Sequence, residues 1–145
     1  MLEQSLILIK PHAFQKKKMG TIISMLERAE FKIVGLKSVK LTSELVRRFY
    51  FVHKGKPFFD SLTDYMSSDT IAAICVEKDD CVEELRKLVG NTNPSKAEEG
   101  TIRNSVGEDI QANGVHASDC VENAQKEIRF FFSDIELYSY TYLQY

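Results

Sequence analysis

Residues 113–132 read NGVHASDCVENAQKEIRFFF. The first part, GVHA, is a short strand or turn. Val121, Ala124, Ile128 and Phe131 then fall at the spacing of one helical face. Asp119 followed by Glu122 fits a capping box, which predicts that the helix starts there. Whether this stretch closes a sheet depends on how many strands come before it.

Three precede it. SLILIK (5–10) is a short run of large apolar residues, with Lys10 at its end and Pro11 blocking continuation. FKIVGLKSVKL (31–41) alternates apolar and polar positions at close to the period of a strand. TIAAICVE (70–77) is the third. Helical patterns fill the gaps. MGTIISMLERAE (19–30) carries Ile22, Ile23, Leu26 and Ala29 on one face. TSELVRRFYFVHKG (42–55) opens on the capping candidates Thr42 and Ser43 and ends at Gly55 and Pro57. FFDSLTDYMSS (58–68) sets Leu62 and Tyr65 on one side. DCVEELRKLVG (80–90) has the stripe Val82, Leu85, Leu88 and Val89, with Gly90 as its stop. The resulting order is two βαβ-like halves. It predicts an α/β or α+β sandwich with a four-stranded sheet, the strand order left open.

Two segments lack a period. Residues 91–113 form a connector long enough to suggest a functional loop. Residues 133–145, SDIELYSYTYLQY, are expected to pack along the body or to meet a neighbouring subunit. No repeat, low-complexity stretch or linker divides the chain, so 1–145 is expected to be one domain.

Composition narrows the function classes. Hydrophobic content of 43% and charged content of 28% are those of an ordinary globular protein. A formal net charge of -2 argues against a general nucleic-acid binder but permits a local cationic pocket. Cys75, Cys81 and Cys120 are odd in number and form no CxxC pair, against a disulfide framework or a structural zinc site. A reducing, cytoplasmic location is the expectation. The start MLEQSLILIK does not read as a signal peptide. No run approaches the roughly 20 apolar residues that span a bilayer.

His116 is one of three histidines. An imidazole is both a base and a nucleophile near neutral pH, provided an acceptor fixes its second nitrogen. Glu127 is the candidate acceptor and Ser118 an added hydroxyl. Lys10, Arg86 and Arg103, with Thr92 and Asn113, would supply donors for phosphate oxygens if the fold brought them together. No Walker-type G-x-x-x-x-G-K-[ST] loop and no G-x-G-x-x-G motif is present. After Pro57, one of Phe58 and Phe59 is expected in the core and the other exposed, where it could stack on a base. His12 and His53 lack metal-ligand spacing to His116, which disfavours a metal site.

The segments LILIKPHAFQ, HKGKPFFDSLTDYMSS, VGNTNPSKAEEGTIR and NGVHASDCVENAQKEI resemble the nucleoside diphosphate kinase family, in order and spacing, to about Phe132. That resemblance implies a ferredoxin-like α+β fold, a four-stranded antiparallel sheet covered by helices. It implies phosphoryl transfer from a nucleoside triphosphate to a nucleoside diphosphate through a phosphohistidine at His116. Lys10, Tyr50, Arg86, Thr92, Arg103 and Asn113 match positions around the phosphates and sugar. Phe58, with Leu62 beside it, matches the residue that stacks on the base, and Ser118 and Glu127 match the pair that orients the histidine. Magnesium held mainly by nucleotide phosphates, rather than by protein ligands, is implied, as is a homo-oligomer of four or six chains.

The chain departs from the family pattern at His12, where aspartate is usual, and at Ala117, where glycine is usual. Ala112 stands where an arginine is common, and Asn104, Ser105 and Val106 replace a glycine, an acidic residue and a phenylalanine. Ala117 predicts that this position avoids positive φ. Two other readings are compatible with parts of the sequence. One is a non-catalytic nucleotide-binding regulatory protein of the same fold. The other is a single-stranded nucleic-acid module, disfavoured by the acidic balance.

Overall fold

A computed structural model describes residues 2–138. Four strands form one sheet: β1 (Leu2–Ile9), β2 (Lys32–Val39), β3 (Ile71–Asp79) and β4 (Val115–Ala117). The spatial order is β2-β3-β1-β4, and every neighbouring pair is antiparallel. The consecutive strands β2 and β3 pair directly, whereas β1 does not pair with β2 nor β3 with β4, and β1 lies between β3 and β4. This is the split βαβ arrangement of a ferredoxin-like α+β fold.

The LILI run of β1 is continuous because both of its faces are covered. Ile7 and Ile9 point to a core that also holds Ile22, Leu26, Leu85 and Val89. Leu6 and Leu8 point the other way, to a core with Val46, Met66, Ile128 and Phe131. The period of two thus partitions one apolar run between two layers of helices. The first layer includes α2 (Met19–Arg28) and α5 (Cys81–Val89). The second includes α3 (Ser43–Phe49), α4 (Phe59–Ser67) and α7 (Val121–Phe131).

Several local expectations need correction. Pro11 ends β1 but starts a helix, α1 (Pro11–Gln15), since its missing N–H costs nothing in the first turn. The buried side of α4 is Phe59, Thr63 and Met66, while Leu62 and Tyr65 are only partly covered. The connector 91–113 holds a 3-10 turn at Pro94–Lys96 and α6 (Ile102–Val106), pieces too short to show a period. The cap of α7 is Cys120, whose sulfur accepts the Asn123 N–H at 3.5 Å, because the Asp119 carboxylate is taken by the Asn123 side chain at 2.7 Å. Val121 lies outside the buried face of α7 and is exposed.

Other expectations hold. Phe59 is buried and Phe58 is 47% exposed. Ala117 lies within β4 and is not among the residues of positive φ. Gly90 closes α5 at φ +87°, and a Cβ there would lie 2.7 Å from Thr101. Of the tail, residues 133–138 pack on β2. The Tyr138 N–H donates to the Val34 carbonyl at 2.7 Å, and Lys37 pairs with Glu136 at 2.5 Å. The rest of the tail, 139–145, is outside the described residues. Among the described residues no helix is long and apolar enough to cross a membrane.

Candidate active site

In β4, Val115 and Ala117 join the core beneath α5, so alternation turns His116 to the opposite face. There it meets α7. His116 Nε2 lies 2.6 Å from Glu127 Oε1, and the Ser118 hydroxyl donates to the same oxygen at 2.9 Å. Ser118 is itself fully buried, and its N–H donates to the Leu6 carbonyl at 3.2 Å. Glu127 is next to Ile128 and three residues after Ala124, so the buried face of α7 carries its carboxylate inward. Phe49 and Tyr50 set ring edges against the imidazole, with centroids 5.3 and 5.6 Å away. The ring is thus held on three sides, and Nε2 is committed to the carboxylate.

A cleft of about 600 Å³ opens over His116. Lys10, Tyr50, Phe58, Leu62, Arg86, Thr92, Arg103, Asn113 and Glu127 all line it. Ser118 does not, acting from beneath through Glu127. Residues separated by more than a hundred positions therefore converge where the sequence could only suggest it.

The cations are crowded and only partly compensated. Lys10 is 7% exposed, and its ammonium donates to the Gln111 carbonyl at 3.2 Å. Burial, and then the Arg103 charge, bring its pKa down to about 7, against a smaller opposing pull from Asp109. Arg103 donates to the Gly90 and Val115 carbonyls, both at 3.0 Å. Burial and the neighbouring Arg86 bring it down to about 10. Burial, followed by the Glu127 charge, pushes the Tyr50 phenol up, so it stays a neutral hydroxyl. The Asn113 amide donates to the Thr92 carbonyl at 3.0 Å, tying the two polar residues together.

Three buried polar atoms in this cleft have no partner: Tyr50 Oη, Arg103 Nε and Asn113 Oδ1. Buried polar groups are normally satisfied, so orphans that line one cleft mark places where a ligand supplies the partner. Donors with surplus positive charge fit an anion rich in acceptor oxygens, such as a polyphosphate. Among the described residues, no three His, Cys, Asp or Glu side chains gather to hold a metal ion. The donor set suits a metal that arrives already bound to phosphate.

The cleft has further lining to which sequence reasoning gave no role in the site: Phe49, Val52, His53, Ile110, Gln111, Asp119 and Asn123, with Ala117 noted only as a departure from the family pattern. Ile110 carried a signal, an aliphatic set between the polar residues Asp109 and Gln111, and it is 61% exposed. Gln111 and Asn123 carried none. His53 stacks on Tyr50 and stands 3.1 Å from the Lys56 ammonium. Burial and that charge lower its pKa.

The nucleoside diphosphate kinase family model matches residues 3–137. A nucleoside diphosphate kinase of Persephonella marina is 43% identical over 136 residues, covering 94% of this chain and 97% of that protein. One from Synechococcus elongatus is 44% identical over 140 residues, covering 97% and 94%. Among solved structures, the Aquifex aeolicus nucleoside diphosphate kinase superposes with a TM-score of 0.93 at 36% identity, covering 95% of this chain and all of that one. The Halobacterium salinarum enzyme in complex with CDP gives 0.92 at 34% identity, covering 97% and 93%. A match along nearly the whole chain, in both sequence and fold, means that this protein belongs to the nucleoside diphosphate kinase family.

Proposed function

We propose that this chain is an active nucleoside diphosphate kinase. It takes the terminal phosphoryl group of a nucleoside triphosphate, typically ATP, onto His116 and passes it to a nucleoside diphosphate. The observation that carries the reading is the 2.6 Å contact of His116 Nε2 with Glu127 beneath a cleft of cationic donors. With Nε2 committed, the lone pair of Nδ1 is the nucleophile.

In the first half-reaction that lone pair forms an N–P bond to the terminal phosphorus. The bond from phosphorus to the bridging oxygen breaks, and its electron pair leaves with the diphosphate. Glu127, steadied by Ser118, holds the ring in one tautomer and offsets the charge that develops on it. Lys10, Arg86 and Arg103 face the transferring oxygens and stabilise charge there without reorganising. In the second half-reaction a terminal oxygen of the acceptor diphosphate attacks the same phosphorus and the N–P bond breaks. The two halves are near mirror images, so one site serves both.

Tyr50, Thr92 and Asn113 add neutral donors and acceptors around phosphates and sugar. Phe58, with Leu62 beside it, stacks on the base and reads its face rather than its edge, which admits many bases. Magnesium fits as the metal of the bound nucleotide, reached by Lys10, Arg86, Thr92 and Arg103 through the phosphates, and would draw charge from the transferring oxygens. The chain acts as a single domain in a cytoplasmic homo-oligomer of four or six copies, with the tail beyond residue 133 contributing to packing or assembly. No dedicated nucleic-acid partner is required.

Incubation with γ-labelled ATP and magnesium tests the reading. An acid-labile, base-stable label on the wild type, absent in His116→Ala, is the expected result. Nucleotide binding without any label would instead favour a non-catalytic regulatory protein of the same fold.

A further inference from the structure

Residues 107–113 form the loop that brings Ile110 and Gln111 to the cleft. Its backbone is pinned. The Gln111 N–H donates to Asp109 Oδ1 at 3.0 Å, and the Gln111 carbonyl accepts from Lys10 Nζ at 3.2 Å. Glu108 anchors the loop to α1, 2.8 Å from His12 Nε2 and in contact with Lys16. The Gln111 side chain then leaves the loop altogether. Its Nε2 donates to Ser61 Oγ, on α4, at 2.9 Å. Ser61 follows Phe58 by three residues, which sets both on the same side of that helix start. This bond joins the two walls of the cleft next to Phe58 and Leu62 on one side and Ile110 on the other.

We propose that Gln111 and Ser61 form a strap that fixes the width of the slot for the nucleobase, which makes Gln111 a positioning residue for the base. The inference rests on the nucleotide-binding reading above and goes beyond it by naming what sets the slot. Ile110 is exposed and comes from a loop, so by itself it gives a poorly placed wall. Phe58 is exposed on the opposite wall. Stacking needs both faces at contact distance, and a tether between their backbones supplies that without touching the base edge. The arrangement favours a tight slot that still discriminates little among bases. With its backbone held by Lys10 and Asp109, Gln111 can lose its side chain while the loop stays in place.

The test is steady-state kinetics on the full chain with Gln111→Ala, Ser61→Ala, the double variant and Ser61→Thr. Loss of one exposed hydrogen bond should raise KM for GDP or CDP about fivefold in each single variant. The change falls on KM, with kcat within about twofold of the wild type. The double variant should be no worse than either single, because both remove the same bond. Ser61→Thr, which keeps the hydroxyl, should restore KM. Ribose 5-triphosphate, which has no base, should show one KM in all five proteins. Unaltered KM in the single variants of an active enzyme overturns the strap, as does a double variant with two separate increments or an equal rise for the baseless substrate. A wild type that neither binds nucleotide nor forms a phosphoenzyme removes the nucleotide reading, and the strap with it.

Discussion

The wall of the cleft built by α3, α4 and the turn between them is mostly rings and aliphatics: Phe49, Tyr50, Val52, Phe58 and Leu62. The wall built by α5 and the connector up to β4 is mostly donors: Arg86, Thr92, Arg103 and Asn113. The first wall rests on ordinary core packing, with Phe59 and Met66 buried beneath it. The second rests on individual polar ties, such as Arg103 to two backbone carbonyls and Asn113 to a third. Base stacking needs its faces at contact distance but tolerates sliding and turning of the base in its plane, because dispersion is non-directional. Phosphoryl transfer does not, since charge must be met at fixed points. Under the proposed function, the two walls differ in construction because their tasks differ in tolerance.

Breaking the polar wall should therefore cost most. Arg103→Ala removes a charge proposed to face the phosphates and two hydrogen bonds that tie the connector to the Gly90 and Val115 carbonyls. We expect kcat to fall by about 10²–10³ and Tm to drop as well, measured by coupled assay and calorimetry. Breaking the apolar wall should cost less and differently. Phe58→Ala should raise KM roughly tenfold, by about the same factor for purine and pyrimidine nucleotides, with kcat nearly retained. A large loss of kcat there would erase the contrast between the walls.

The smallest effect sharpens the comparison through stability. Lys10 has a pKa of about 7 in the folded chain against an ordinary 10.5. Below pH 7 both folded and unfolded chains carry this charge, and the folded state bears the full cost of burying it. Between about pH 7 and 10.5 the folded chain holds fewer protons, so the cost shrinks as pH rises. Lys10→Met should therefore raise Tm by at least about 3 °C near pH 6. The gain should close toward pH 10.5. Its activity should fall, separating what the site needs from what the fold prefers.

The fold was legible where a period runs long enough. β1 and β3 declared themselves by short apolar runs, β2 by alternation, α2 and α5 by an apolar stripe, and Gly90 by its place after the last turn. α1 and α6 span five residues each, too few to display a face. The α7 cap was misread because Asp119 and Cys120 are adjacent and either can start a helix. Only the competing bond from Asn123 decides between them. Of the apolar wall, the exposed ring of Phe58 or Phe59 could be anticipated from the stretch after Pro57, whereas Phe49 and Val52 could not. The polar wall could not, since Arg103 meets Gly90 and Val115 only after the chain has folded. Family resemblance named those residues where pattern was silent. It offered nothing for Gln111 and Ser61, whose bond spans the cleft mouth.

The central claim is that His116, fixed by Glu127, carries the phosphoryl group between nucleotides. Intact-mass measurement after brief exposure to ATP and magnesium, repeated with GDP added, tests it most directly. The account predicts a gain of one phosphoryl group that disappears on adding GDP and never forms in His116→Ala. A wild-type chain that stays at its unmodified mass, or a gain that survives in His116→Ala, would contradict it.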